Sequence, residues 1–278
     1  MAVPNDAKMK KWRGEVDADL ASGRAPNFRL APLTKLAKQT LLSPDNDTSE
    51  RGELQRLALT LALIFNDIKD LTWARDTLGH WRPENLTAVE AGVAQHNAMS
   101  AFFVRQLCGV TSELGNVVQA KRATFKSKGF EAALKKLKRK RLPAVKAWEQ
   151  LIVDLGKPGK KADRNSKVGR CIEFIRDKAA HHYGHLNWEN LQALANGYRA
   201  HFNTEQNDER YQVAFASLGQ NMEQSRFFFA DAAVAGLMDD ALKKEGLNHE
   251  DLFLFFKHVG FALRFVVEAL IEELAEPK

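Results

Sequence analysis

The chain has 278 residues, 45% of them hydrophobic and 27% charged, with a formal net charge of +6 at pH 7. That apolar fraction excludes a globally disordered chain, and a count of 2 cysteines excludes both a disulfide framework and a structural zinc site. Met1 to Leu20 is polar and lacks the apolar core of a secretory signal, and no apolar run reaches the roughly 18 residues of a membrane span, so the expected location is cytoplasmic with no membrane partner.

Gly and Pro number only 17 and 8, and Ala, Leu, Lys, Glu and Gln dominate most windows, a mix that predicts an all-α fold. Residues 1–50, with Pro4, Pro26, Pro32 and Pro44, read as an N-terminal arm. Residues 50–79 read as a helix, because Leu54, Leu57, Leu61, Ile64, Ile68 and Leu71 recur every three or four positions, with Gly79 as its stop. A second helix is expected over 84–120, capped near Asn85 or Thr87, with Phe102, Leu107, Val110 and Leu114 inward and weak points at Gly109 and Gly115. A third spans 129–155, and Pro143 forces a kink or a new start within it. Asn165 or Ser166 then caps a fourth helix. Leu186 to Phe202 reads as helix, Thr204 to Asp208 as a linker, Glu209 to Lys244 as helix, Gly246 to Asn248 as a turn, and His249 to Leu274 as a last amphipathic helix. The division expected is an arm (1–50), a helical bundle (51–203) and a C-terminal helical extension (204–278).

Charge is not evenly spread. Between Lys121 and Arg170 lie 17 of the 41 Lys+Arg and 4 of the 35 Asp+Glu, which leaves 24 and 31 elsewhere. A basic segment on an otherwise acidic chain points to a polyanion partner. Its densest part is Lys135, Lys136, Lys138, Arg139, Lys140 and Arg141, followed by Lys160 and Lys161 in a Gly-Pro-containing loop. From Asp231 onward, 10 acids face 5 Lys+Arg, so this end is not expected to meet the polyanion.

The basic segment leads into Arg176-Asp177-Lys178-Ala179-Ala180-His181-His182-Tyr183. Arginine stays charged and forks onto phosphate oxygens, and histidine titrates near neutral pH. Together they suit metal-free RNA cleavage. The 2′-hydroxyl attacks the adjacent phosphorus while a base, an acid and a positive charge serve the phosphorane. In a regular α-helix Arg176 and His181 would stand about 140° apart around the axis, and a break near Ala180 would ease that separation. Asp177 and His181 share a face, so Asp177 is placed to fix the tautomer of His181. A second copy of the spacing occurs at Arg75-Asp76-Thr77-Leu78-Gly79-His80.

Arg176, Asp177, His181 and Tyr183 resemble the signature of the HEPN superfamily (higher eukaryotes and prokaryotes nucleotide-binding), whose members include metal-independent ribonucleases of toxin and antiphage systems. The resemblance implies a HEPN-like helical bundle and an endoribonuclease leaving a 2′,3′-cyclic phosphate. Catalytic Arg176, His181 and Asp177 would be supported by His182 and Tyr183, with RNA as substrate and neither cofactor nor metal. It further implies a homodimer that shares one site across a two-fold axis, with Ala179 and Ala180 permitting close approach, and an antitoxin or regulatory protein as a further partner. Two other readings remain: a non-catalytic helical nucleic-acid-binding protein, and a helical partner-binding protein whose Arg176-Asp177 pair is an ordinary ion pair.

Overall fold

The computed structural model describes residues 49–80, 91–156, 166–180 and 228–275, together with Gln192 and Asn196. Of this part 93% is helical and none is in a strand, so the fold is all-α. The arm through residue 48, the expected cap at Asn85 or Thr87 and the linker at 204–208 lie outside the described residues. So does the stretch from Leu186 to Phe202, apart from helical Gln192 and Asn196.

Helix α1 (Glu50–His80) starts where Ser49 Oγ accepts from the Gly52 N–H at 3.2 Å and where Glu50 and Glu53 complement the helix dipole. Gly79 does not stop it: the helix runs on through His80. Helix α2 (Ala91–Ala120) passes Gly109 and Gly115 unbroken. Its buried stripe is Val104, Leu107, Cys108, Thr111, Leu114 and Val118, which turns Phe102 outward to 42% exposure, against expectation. A short helix, α3 (Arg122–Phe125), follows. The helix expected over 129–155 is two helices, α4 (Lys128–Lys140) and α5 (Leu142–Leu155), separated at Arg141, whose φ of −149° and ψ of 69° are not helical. Pro143 sits in the first turn of α5, where its missing N–H would have no partner in any case.

Helices α6 (Lys167–Ile175) and α7 (Phe228–Glu245) come next, and Gly246, at φ 66°, makes the turn into α8 (His249–Ala275). Thirteen residues of α8 are buried, among them Phe256, Val259, Ala262, Leu263 and Leu270 at no measurable exposure. A helix apolar on so many sides has to be surrounded. Accordingly α8 packs along α1, α4 and α5, while α2 joins this group to α6 and α7. Buried residues from Leu54 to Leu274 form one core cluster, with α8 inside it.

Ion pairs tie the acidic end of α8 to the basic segment. Lys136 Nζ lies 2.6 Å from Glu273 Oε2, and Lys140 Nζ lies 2.7 Å from Glu272 Oε2. Arg51 donates to the Leu274 carbonyl and so occupies one of the open acceptors at the end of α8. Glu50 Oε1 accepts from the Gly129 N–H at 2.8 Å and, with the Ser127 cap, serves the start of α4.

Candidate functional site

Helix α6 begins at Ser166, whose Oγ accepts from the Gly169 N–H at 3.3 Å, and Cys171, Ile172 and Ile175 form its buried stripe. Gly169 is required for contact rather than for its backbone angles. A β-carbon there would stand 2.4 Å from the Asp154 carbonyl oxygen, so α6 starts pressed against the last turn of α5. That contact sets where Arg176 leaves the helix.

From Arg176 to Ala180 the α-helix gives way to a π turn. Such turns close i to i+5 bonds and occur mostly as single insertions at functional sites. They bring positions five apart toward one face, whereas an α-helix separates them by about 140°. Within this turn Arg176 Nε donates to Asp177 Oδ1 at 2.7 Å, and Nη2 donates to the same oxygen. Nη1 donates to Ser112 Oγ on α2 at 2.8 Å. These three bonds leave two of the five guanidinium N–H donors for another acceptor. The side chain is 23% exposed, which is open enough for a ligand and enclosed enough to be fixed. The Asp177 carboxylate thus holds Arg176, a contact the spacing did not predict. His181, whose tautomer Asp177 was expected to fix, lies outside the described residues together with His182 and Tyr183.

The predicted polyanion-binding residues separate into two sets. Lys136 and Lys140 are engaged by Glu273 and Glu272, and the Arg141 guanidinium lies 4.4 Å from the centre of the Phe265 ring. Lys135, Lys138 and Arg139 are exposed and make no ion pair among the described residues. Lys160 and Lys161 lie outside them.

A cleft of about 310 Å³ opens beside the π turn, between α6 and α7, with Phe174 and Cys171 among its apolar lining. Across it Arg170 grips Glu245 by two bonds, Nε to Oε1 at 2.9 Å and Nη2 to Oε2 at 2.6 Å. The hydrogen bond from Arg170 holds the Glu245 carboxyl below the usual carboxylate range. Both thiols are buried, as expected. Burial first, and the charge of Glu245 second, push the Cys171 thiol up to about 11. Burial and then proximity to Cys171 push Cys108 well above the thiol range. Neither is a nucleophile at neutral pH. Among the described residues no group of three His, Cys, Asp or Glu is placed to hold a metal ion, and no helix is long and apolar enough to cross a membrane.

The other copy of the spacing has a different setting. The Arg75 guanidinium lies over the Phe253 ring of α8, 3.2 Å from its centre, and Asp76 Oδ2 lies 3.4 Å from Lys257 Nζ. Sequence reasoning missed Ser112, Phe174 and Glu245. Ser112 is 64 positions from Arg176, and no local pattern marks such a partner. Comparison with protein-family models, with curated proteins and with solved structures found no match to the chain.

Proposed function

We propose that the protein is a metal-independent RNA endonuclease that uses the substrate's own 2′-hydroxyl and leaves a 2′,3′-cyclic phosphate. The observation that carries this reading is Arg176 on its π turn, its guanidinium fixed by Asp177 and Ser112 with two donors left for phosphate oxygens. A fixed cation stabilises a phosphorane more than a mobile one, because no reorganisation is needed as charge develops. In this reading His181 moves the protons and His182 and Tyr183 support it. The exposed Lys135, Lys138 and Arg139 guide the RNA, and a second copy of the chain supplies the opposing acid or base across a two-fold axis. The resemblance to HEPN nucleases adds a role in antiphage defence or as a toxin restrained by a partner protein.

The test is cleavage of RNA in EDTA by the wild type, Arg176→Ala and His181→Ala, with end-group analysis of the products. Cyclic phosphate ends that persist in chelator and vanish in both variants uphold the reading. Activity lost in chelator and restored by Mg²⁺ overturns it. A mixed dimer with one mutant chain is expected to fall well below half activity, and retention of half would exclude a shared site.

A second reading rests on the same bonds. Arg176 joins the π turn to α2 through Ser112, and a purely structural arginine would do the same. In that case Arg176→Ala lowers the melting temperature and the wild type cuts no RNA.

A further inference from the structure

Where α4 ends and α5 begins, Lys138, Arg139, Lys140, Arg141 and Leu142 stand in succession at the surface. Arg141 turns this corner with non-helical backbone angles, and its guanidinium carbon lies 4.4 Å from the centre of the Phe265 ring on α8. Phe265 is 4% exposed, and Phe261, one helical turn earlier, meets it edge to face with ring centres 5.0 Å apart. Phe261 itself stays 43% exposed, and Leu142 44%. The Phe261 ring is thus fixed by its neighbour yet open over nearly half its surface, and it flanks the same ring that Arg141 covers.

Some charges near this patch are already taken. Glu272 holds Lys140, and Glu268 accepts from the Nε of Arg264 at 3.1 Å. Arg141 differs. Attraction to a ring is electrostatic and occupies none of the five guanidinium N–H donors. Its side chain makes no hydrogen bond or ion pair among the described residues, and neither do those of Lys138 and Arg139.

We infer that this patch binds an unpaired stretch of RNA, with one base stacked on Phe261, the adjacent phosphate on Arg141, and the strand continuing along Lys138 and Arg139. The inference rests on the nuclease reading and names the form of RNA that the enzyme meets. A bare anion would use the cations and leave the ring in water. An apolar partner would cover the ring and bury unpaired cations beside it, which is costly. A duplex presents phosphates but keeps its base faces stacked inside. A single strand offers phosphates and open base faces side by side, and aromatic rings beside a basic track are how such strands are held.

The experiment measures binding of the full chain to a 2′-O-methyl oligonucleotide, which has no free 2′-hydroxyl to attack, as a single strand and as a duplex over a range of salt. The wild type is expected to prefer the single strand by at least about tenfold, the scale of one stacked base. Phe261→Leu weakens single-strand binding about tenfold and leaves the salt slope unchanged, because stacking releases no counterions. Phe261→Trp keeps wild-type affinity, and Arg141→Gln lowers the slope by about 0.7. A duplex bound as well as the single strand, or an affinity unmoved by Phe261→Leu, overturns the inference. Cleavage of unmodified RNA in EDTA that continues in that variant then leaves the nuclease reading standing. Binding that depends on Phe261 without any cleavage upholds the patch and removes the nuclease reading. A wild type that binds no RNA overturns the inference, and dimers that Phe261→Asp breaks would then assign the patch to a second copy of the chain.

Discussion

Arg75-Asp76 and Arg176-Asp177 are the same dipeptide, each with its arginine five positions before a histidine, in two very different parts of the molecule. The first lies within regular α1, at the seam with α8, where the guanidinium covers the Phe253 ring and Asp76 faces Lys257. The second lies on a π turn beside a cleft, its guanidinium held edge-on by an aspartate and a serine. A cation spread over a ring face contributes packing; a cation with donors left over after its holders are served can take an anion. Backbone form and neighbours, rather than residue spacing, separate the two.

The sharpest way to break this comparison is to remove each arginine in turn. Arg176→Ala is expected to lower RNA cleavage by about 10²–10³, the usual cost of losing one preorganised charge-stabilising group. Arg75→Ala is expected to keep cleavage and to lower unfolding free energy by about 2 kcal/mol through the lost ring contact. Equal losses of activity in the two variants would show that the molecule does not distinguish the copies.

The next largest effect concerns the basic helix. Neutralising Lys135, Lys138 and Arg139 together is expected to flatten the salt dependence of RNA binding by about 2 in log–log slope, because each charge accounts for roughly 0.7 on single strands. Neutralising Lys136 and Lys140 is expected to change that slope less and to lower the melting temperature, since their ammonium groups serve Glu273 and Glu272. A slope unchanged by the triple variant would make α4 a solvated face only.

A smaller change is expected from Gly169→Ala. The added methyl collides with the Asp154 carbonyl, and overpacking of this kind costs about 1–3 kcal/mol. It also displaces α6, so cleavage should fall more than in a surface variant of equal stability. The smallest effect is the pH dependence of His258 on α8. Burial pushes this imidazole below its ordinary value of 6.5, against the opposing pull of Asp154. The unfolded chain therefore binds the proton first. Stability is complete above pH 6.5 and falls as pH drops through that value toward the folded one, by less than about 1.4 kcal/mol per pH unit. Urea midpoints at pH 8 and pH 5.5 read this directly, and His258→Leu should flatten the acid arm.

The helices were legible because their apolar residues keep the helical period and because their caps are local. Ser166, Pro143 and Gly246 each act within a few residues of themselves. Features set by distant partners were not legible. The π turn follows no spacing rule, and its arginine is fixed by a serine on another helix. The pairing of α4 with the end of α8 joins residues 137 positions apart for Lys136 and Glu273. The contact between Arg176 and Asp177 was not legible either, because helical spacing alone cannot rank the cations near a carboxylate.

The position of α8 inside the core has a consequence for how the protein is made. Arg51 meets Leu274 across 223 residues, and among the described residues the first helix packs on the last. Contacts of such long range close late, because the intervening chain must first be ordered. During translation α1 emerges long before its partner exists, so an apolar stripe waits exposed until synthesis reaches α8. The Arg75–Phe253 seam cannot form earlier either. A nascent chain that has not yet reached α8 lacks the helix around which this core closes.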